Sequence, residues 1–111
     1  MEKNKKISIL GLGYVGLTLG LVLAKNGLRV YGYDINTSII NKLSLKKSTF
    51  YEKDIDKYIK KYINKSFFVS NKIYHSDIYI ITVGTPLKKY KKTPDIKILK
   101  KSIEEISNKI K

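Results

Sequence analysis

Cysteine is absent from the 111 residues, so no disulfide, thiolate metal site or cysteine nucleophile can form. That suits a cytoplasmic protein. Histidine occurs once, as His75, in a polar connection where it reads as a loop residue rather than a catalytic base. Acidic residues are scarce as well: nine stand against 23 basic ones, for a formal net charge of +14. Such an excess ordinarily points to nucleic acid or an anionic membrane. Arginine, however, is represented by Arg29 alone, and the lysines are spread along every helical segment instead of forming an arginine-rich patch. Seventeen isoleucines and seven asparagines show the same compositional bias across the whole chain. No specific nucleic-acid partner is expected, only salt-sensitive, non-specific binding, and a basic surface also draws in anionic nucleotides.

Charge is missing locally from Ile7 to Ala24, 18 residues flanked by Lys3, Lys5, Lys6 and Lys25. A short membrane span or a signal peptide has this outline. Four glycines, at positions 11, 13, 16 and 20, argue against it, as does the Asn26-Gly27 pair that stops a helix before a strand begins. No membrane partner is expected.

The same stretch reads instead as strand, glycine turn, helix, strand and acid. Ile7-Ser8-Ile9-Leu10 leads into Gly11-Leu12-Gly13-Tyr14-Val15-Gly16, a helix-length apolar segment follows, and Arg29 to Asp34 closes the unit 18 residues after Gly16. These parts make up the dinucleotide fingerprint. Gly11 permits the tight turn, Gly13 has no side chain to hold a pyrophosphate away from the backbone, and Gly16 lets the helix lie close on the sheet, with Gly20 extending the bare face. The phosphates belong on the free amides near Tyr14 and Val15, where the helix dipole favours negative charge. Asp34 can accept hydrogen bonds from both hydroxyls of an adenosine ribose and would repel a 2′-phosphate, so the expected cofactor is NAD. A solvated aspartate at a strand end is the alternative for Asp34.

Further along, Asn36 can cap a helix bearing Ile39, Ile40 and Leu43 on one face, ended by the polar Lys46 to Thr49. From Asp54, Ile55, Tyr58, Ile59, Tyr62 and Ile63 fall at helical spacing; this aromatic stripe reads as core rather than cofactor contact. Phe67-Phe68-Val69 is a short strand, and Asp77 to Val83 reads as an interior parallel strand buried on both faces. Gly84 and Thr85 then lie where a backbone amide and a hydroxyl could meet the cofactor at the switch point of the sheet, or simply end the strand. Thr93 and Pro94 start a last helix with Ile96, Leu99, Ile103, Ile106 and Ile110 on one face. The fold expected is α/β: a partial, Rossmann-type doubly wound parallel sheet in the order 3-2-1-4, forming one domain over residues 1–111. Its fourth strand has no later strand to cover it, which favours self-association.

Three of these motifs, Gly11 to Leu17, Tyr33-Asp34-Ile35-Asn36 and Val83-Gly84-Thr85-Pro86, together resemble the amino-terminal domain of the UDP-glucose/GDP-mannose dehydrogenase family. The resemblance runs from Lys6 to the last helix. It includes Phe50-Tyr51-Glu52, with Lys53 and Asp54 where the family pattern has proline and glycine, and Ile39 where a lysine is often found. It implies an enzyme of polysaccharide biosynthesis that oxidises the C6 alcohol of a nucleotide sugar to a carboxylate in two NAD-dependent steps. The cysteine nucleophile of such enzymes comes from a later part of the chain. What remains here resembles the cofactor-binding portion, a fragment of a longer enzyme or a truncated product whose own chemistry is binding. A nucleotide sugar is then a partner only of the full-length enzyme. Two other readings stay open: a free-standing, non-catalytic nucleotide-binding or interaction module, and a methyltransferase using an adenosyl cofactor, which a close-packed helix at Gly16 fits less well.

Overall fold

Strands β1 (Lys6–Leu10), β2 (Arg29–Tyr33), β3 (Phe67–Ser70) and β4 (Ile78–Ile81) make one four-stranded sheet in the order β3-β2-β1-β4. All three pairings are parallel, so the expected topology is the one found. The computed structural model describes residues 5–82 and 97–109; Gly84, Thr85, Thr93, Pro94, Ile96 and Ile110 lie outside the described residues. β1 is flanked on both sides, and Ile7, Ile9 and Leu10 are wholly buried. Ser8 is buried with them, and its hydroxyl is satisfied by that of Ser76, as a polar group without water must be.

Helix α1 (Tyr14–Lys25) follows β1 and packs on the sheet through Gly16, Leu17, Gly20, Leu21 and Ala24. The uncharged run is thus divided between a strand, a loop and a twelve-residue helix. Among the described residues no helix is long and apolar enough to cross a membrane. α1 ends as the Asn26-Gly27 pair requires. Gly27 takes a left-handed φ of 87°, its N–H donates to Ala24 O, and the Leu28 N–H donates to Leu23 O, the two bonds of a Schellman cap.

α2 (Thr37–Ser44) is capped by Asn36, whose side-chain oxygen accepts from Ser38 N at 3.0 Å. α3 (Ile55–Tyr62) buries Ile55 and Ile59, and both isoleucines join Leu17, Leu21, Leu43, Ile63 and Phe67 in the main core. Tyr58 and Tyr62 are packed against that core and only partly buried, as befits the expected structural stripe. Asp54, the N-cap of α3, has a left-handed φ of 69°, a conformation that aspartate tolerates.

Two expectations need correction. β4 is not buried on both faces: all four of its residues are only partly buried, and among the described residues it is an edge strand, paired with β1 alone. α4 (Lys97–Lys109) forms as expected and buries Ile106 against Leu10 and Ile73, but Ile103 is 48% exposed. Among the described residues no second layer lies over this helix for Ile103 to enter.

Candidate functional site

The carboxyl ends of β1 and β2 and the start of α1 meet at the glycine loop. Gly11 has a φ of 103°, a region L side chains rarely occupy, and its N–H donates to Tyr33 O at 2.8 Å. The turn thus anchors on the neighbouring strand. A Cβ on Gly16 would lie 1.8 Å from Gly11 O and 2.6 Å from Thr82 Oγ1, so the first turn of α1 rests directly on the loop backbone. One turn on, a Cβ at Gly20 would strike the Phe67 ring at 2.4 Å. Gly16 and Gly20 are packing glycines.

Gly13 is of another kind. A Cβ there meets nothing within 4 Å, and its φ of −72° with ψ of −162° is ordinary extended backbone. No internal contact calls for glycine at this position. It is the N-cap of α1 and has no side chain with which to cap it, and no acidic residue occupies the first turn. The amides at Tyr14 and Val15 belong to the turn that no intrahelical carbonyl satisfies, and both residues are exposed. A helix N-terminus with open space over a bare backbone is suited to a phosphate.

Asp34 sits beside this loop, at the end of β2. One carboxylate oxygen accepts from Leu12 N at 2.9 Å and the other from Asn36 N at 2.9 Å. The side chain therefore ties the glycine loop to the start of α2. Each carboxylate oxygen has two acceptor positions, so one remains on each for an incoming hydroxyl. The sequence-based candidates Gly11, Gly13, Tyr14, Val15, Gly16 and Asp34 are brought together; Gly84 and Thr85 fall outside the described residues.

Thr82 was not legible as a site residue. Its hydroxyl donates to Gly11 O at 2.7 Å, and its N–H donates to Leu10 O at 2.7 Å. It fixes the carbonyl that Gly16 rests on. The only signal was a lone polar residue at the end of an apolar strand. Gly32 also went unread: a Cβ there would come 2.8 Å from both Leu12 and Phe67, so its bareness admits the two side chains that fill the space under the loop. At the rim, the Tyr14 ring lies 5.0 Å from that of Phe50. The Glu52 carboxylate beside the Tyr14 hydroxyl raises the tyrosine pKa, by hydrogen-bonding attraction to the phenol and by its charge. His75 is exposed in a loop, as expected.

The chain matches known proteins over nearly its whole length. The model of the UDP-glucose/GDP-mannose dehydrogenase family, NAD binding domain, matches residues 5–111. The UDP-N-acetyl-D-mannosamine dehydrogenase of Methanocaldococcus jannaschii is 36% identical over 112 residues, covering 96% of this chain and 26% of the relative. The UDP-glucose 6-dehydrogenase of Rickettsia typhi is 31% identical, covering 94% of this chain and 25% of the relative. Among solved structures, the UDP-N-acetyl-mannosamine dehydrogenase of Staphylococcus aureus superposes with a TM-score of 0.88 at 29% identity, over 95% of this chain and 26% of that one. The chain spans about a quarter of the length of these relatives.

Proposed function

The chain belongs to the UDP-glucose/GDP-mannose dehydrogenase family, as its NAD-binding domain, and on that premise we propose how it holds the cofactor. The pyrophosphate lies over Gly13 against the amides of Tyr14 and Val15, and the adenosine ribose hydroxyls bond to Asp34. Gly11 and Gly16 shape the turn. The observation that carries this reading is the empty space at Gly13 beside an uncapped helix start, with Asp34 anchored next to it.

The domain serves a cytoplasmic nucleotide-sugar 6-dehydrogenase of polysaccharide biosynthesis, which oxidises the C6 alcohol of its substrate to a carboxylate. NAD supplies hydride acceptance when bound. This chain's residues bind and orient the cofactor, and residues beyond these 111 supply the catalytic nucleophile and the sugar site. Relatives named for UDP-N-acetylmannosamine and for UDP-glucose leave the sugar open.

NAD is expected to bind at least about tenfold more tightly than NADP, a difference of about 1.4 kcal/mol. Asp34 would face the added phosphate, and residues 35–41 contain no arginine to compensate. Calorimetric titration with NAD, NADP and S-adenosylmethionine checks this on one preparation. Equal affinity for the two dinucleotides would remove Asp34 from the site, and tighter binding of S-adenosylmethionine would replace the reading altogether. Asp34→Asn is a poor substitute for this comparison, since its amide would turn an NH₂ toward either Leu12 N–H or Asn36 N–H.

Self-association belongs to the same reading. The apolar β4, Ile78–Ile81, pairs only with β1 among the described residues, and an open edge favours pairing with another chain. Light scattering over a wide concentration range should show the apparent mass rising with concentration. A constant monomer mass would mean that the edge is shielded.

A further inference from the structure

An open depression of about 500 Å³ lies at the connection between α2 and α3, lined by residues 46–51, Asp56 and Lys60. Its size lies within the range of small-ligand sites. Three lysines face one aspartate, leaving an excess of two positive charges. The Ser48 hydroxyl is spent on Phe50 O, which folds the loop back on itself. The side-chain donors left to a ligand are the three ammonium groups and the Thr49 and Tyr51 hydroxyls.

The backbone fixes one side of this depression. α2 ends in a Schellman cap, with Lys46 N–H donating to Leu43 O and Lys47 N–H to Lys42 O, but the left-handed position is held by Lys46, at a φ of 60°. In the same motif α1 uses glycine. The cap sets Lys46 and Lys47 at its wall, while α3 presents Lys60 to it. None of the lining residues belongs to the glycine loop. Phe50, which also lines the depression, touches Tyr14 at the start of α1, so the two sites adjoin.

We infer that the α2–α3 depression is a second anion site, which takes a phosphate-bearing small molecule through Lys46, Lys47, Lys60 and Thr49. Its recognition is by charge, because lysine offers ammonium donors without a fixed fork geometry.

The test is an amide-shift titration of the whole chain by NMR with inorganic pyrophosphate, which reads the two sites through different amides. Saturable shifts are expected at residues 46–51 and 60, separate from any at Tyr14 and Val15. The variant Lys46→Gln/Lys47→Gln/Lys60→Gln should bind at least about tenfold more weakly, and the control Lys5→Gln/Lys72→Gln/Lys101→Gln, which removes as much charge elsewhere, within about threefold of the parent. A parallel arm with ADP separates the sources: equal affinity identifies a free phosphate as the ligand, and tighter ADP binding identifies a nucleotide whose base packs near Phe50. Equal weakening in the two variants, shifts that never saturate, or shifts confined to Tyr14 and Val15 would each overturn the site.

Discussion

Gly16→Ala is expected to destabilise the protein by at least about 2 kcal/mol, since overpacking a filled site costs roughly 1–3 kcal/mol and more where backbone must move. The added methyl would lie 1.8 Å from Gly11 O and 2.6 Å from Thr82 Oγ1. No rotamer change relieves this, because the first obstacle is a main-chain carbonyl that is itself held by the Thr82 hydroxyl. Either α1 moves off the sheet or the glycine loop opens. Both movements disturb Leu17 and Leu12, which are wholly buried, and both misplace the amides at the helix start. In a domain of this size the expected change is a fall of roughly 8–16 °C in Tm, together with loss of NAD binding. Thermal unfolding followed by circular dichroism, with calorimetry on the folded fraction, measures both. A Tm within about 2 °C of the parent would mean that helix and loop are not pressed together as the geometry has them.

The glycine fingerprint was legible because each of its requirements is local. A turn with positive φ at Gly11, a bare N-cap at Gly13 and an acid at the end of the next strand are set by neighbours within about thirty residues, and all three are found. The partners across the fold could not be read in this way. Gly20 was recognised as part of a bare face, but Phe67, which fills that face, lies 47 positions later. Thr82 carries no motif of its own and acts only because β4 lies beside β1. The partial exposure of β4 was out of reach for a related reason: apolar content does not say how completely the rest of the fold covers a strand, and all four β4 residues are only partly buried. Asp34 shows the limit from the other side. Its type and position were read for a ribose, while its two backbone bonds, to Leu12 and Asn36, give the same carboxylate a structural task.

Replacing Gly13 should have the opposite signature from replacing Gly16, and the contrast tests the site more sharply than either variant alone. Gly13→Thr adds a β-branched side chain where a Cβ meets nothing within 4 Å, on backbone that any residue adopts. Threonine ranks with glycine as an N-cap, so the start of α1 is kept and the stability change should stay within about 0.5 kcal/mol. The space it enters is the space proposed for the pyrophosphate. Its hydroxyl can also accept from an amide of the first turn, as an N-cap side chain does, and would thereby occupy a donor the phosphate needs. NAD affinity should fall by at least about a hundredfold, or about 2.7 kcal/mol, with Tm nearly unchanged. ADP-ribose should lose affinity in parallel, since it carries the same pyrophosphate. Calorimetric titration of both ligands, beside a thermal melt of the same preparation, gives the comparison. Undiminished NAD binding in a stable Gly13→Thr protein would place the phosphates elsewhere on the domain. A large loss of stability would show that Gly13 is held by packing and not reserved for a ligand.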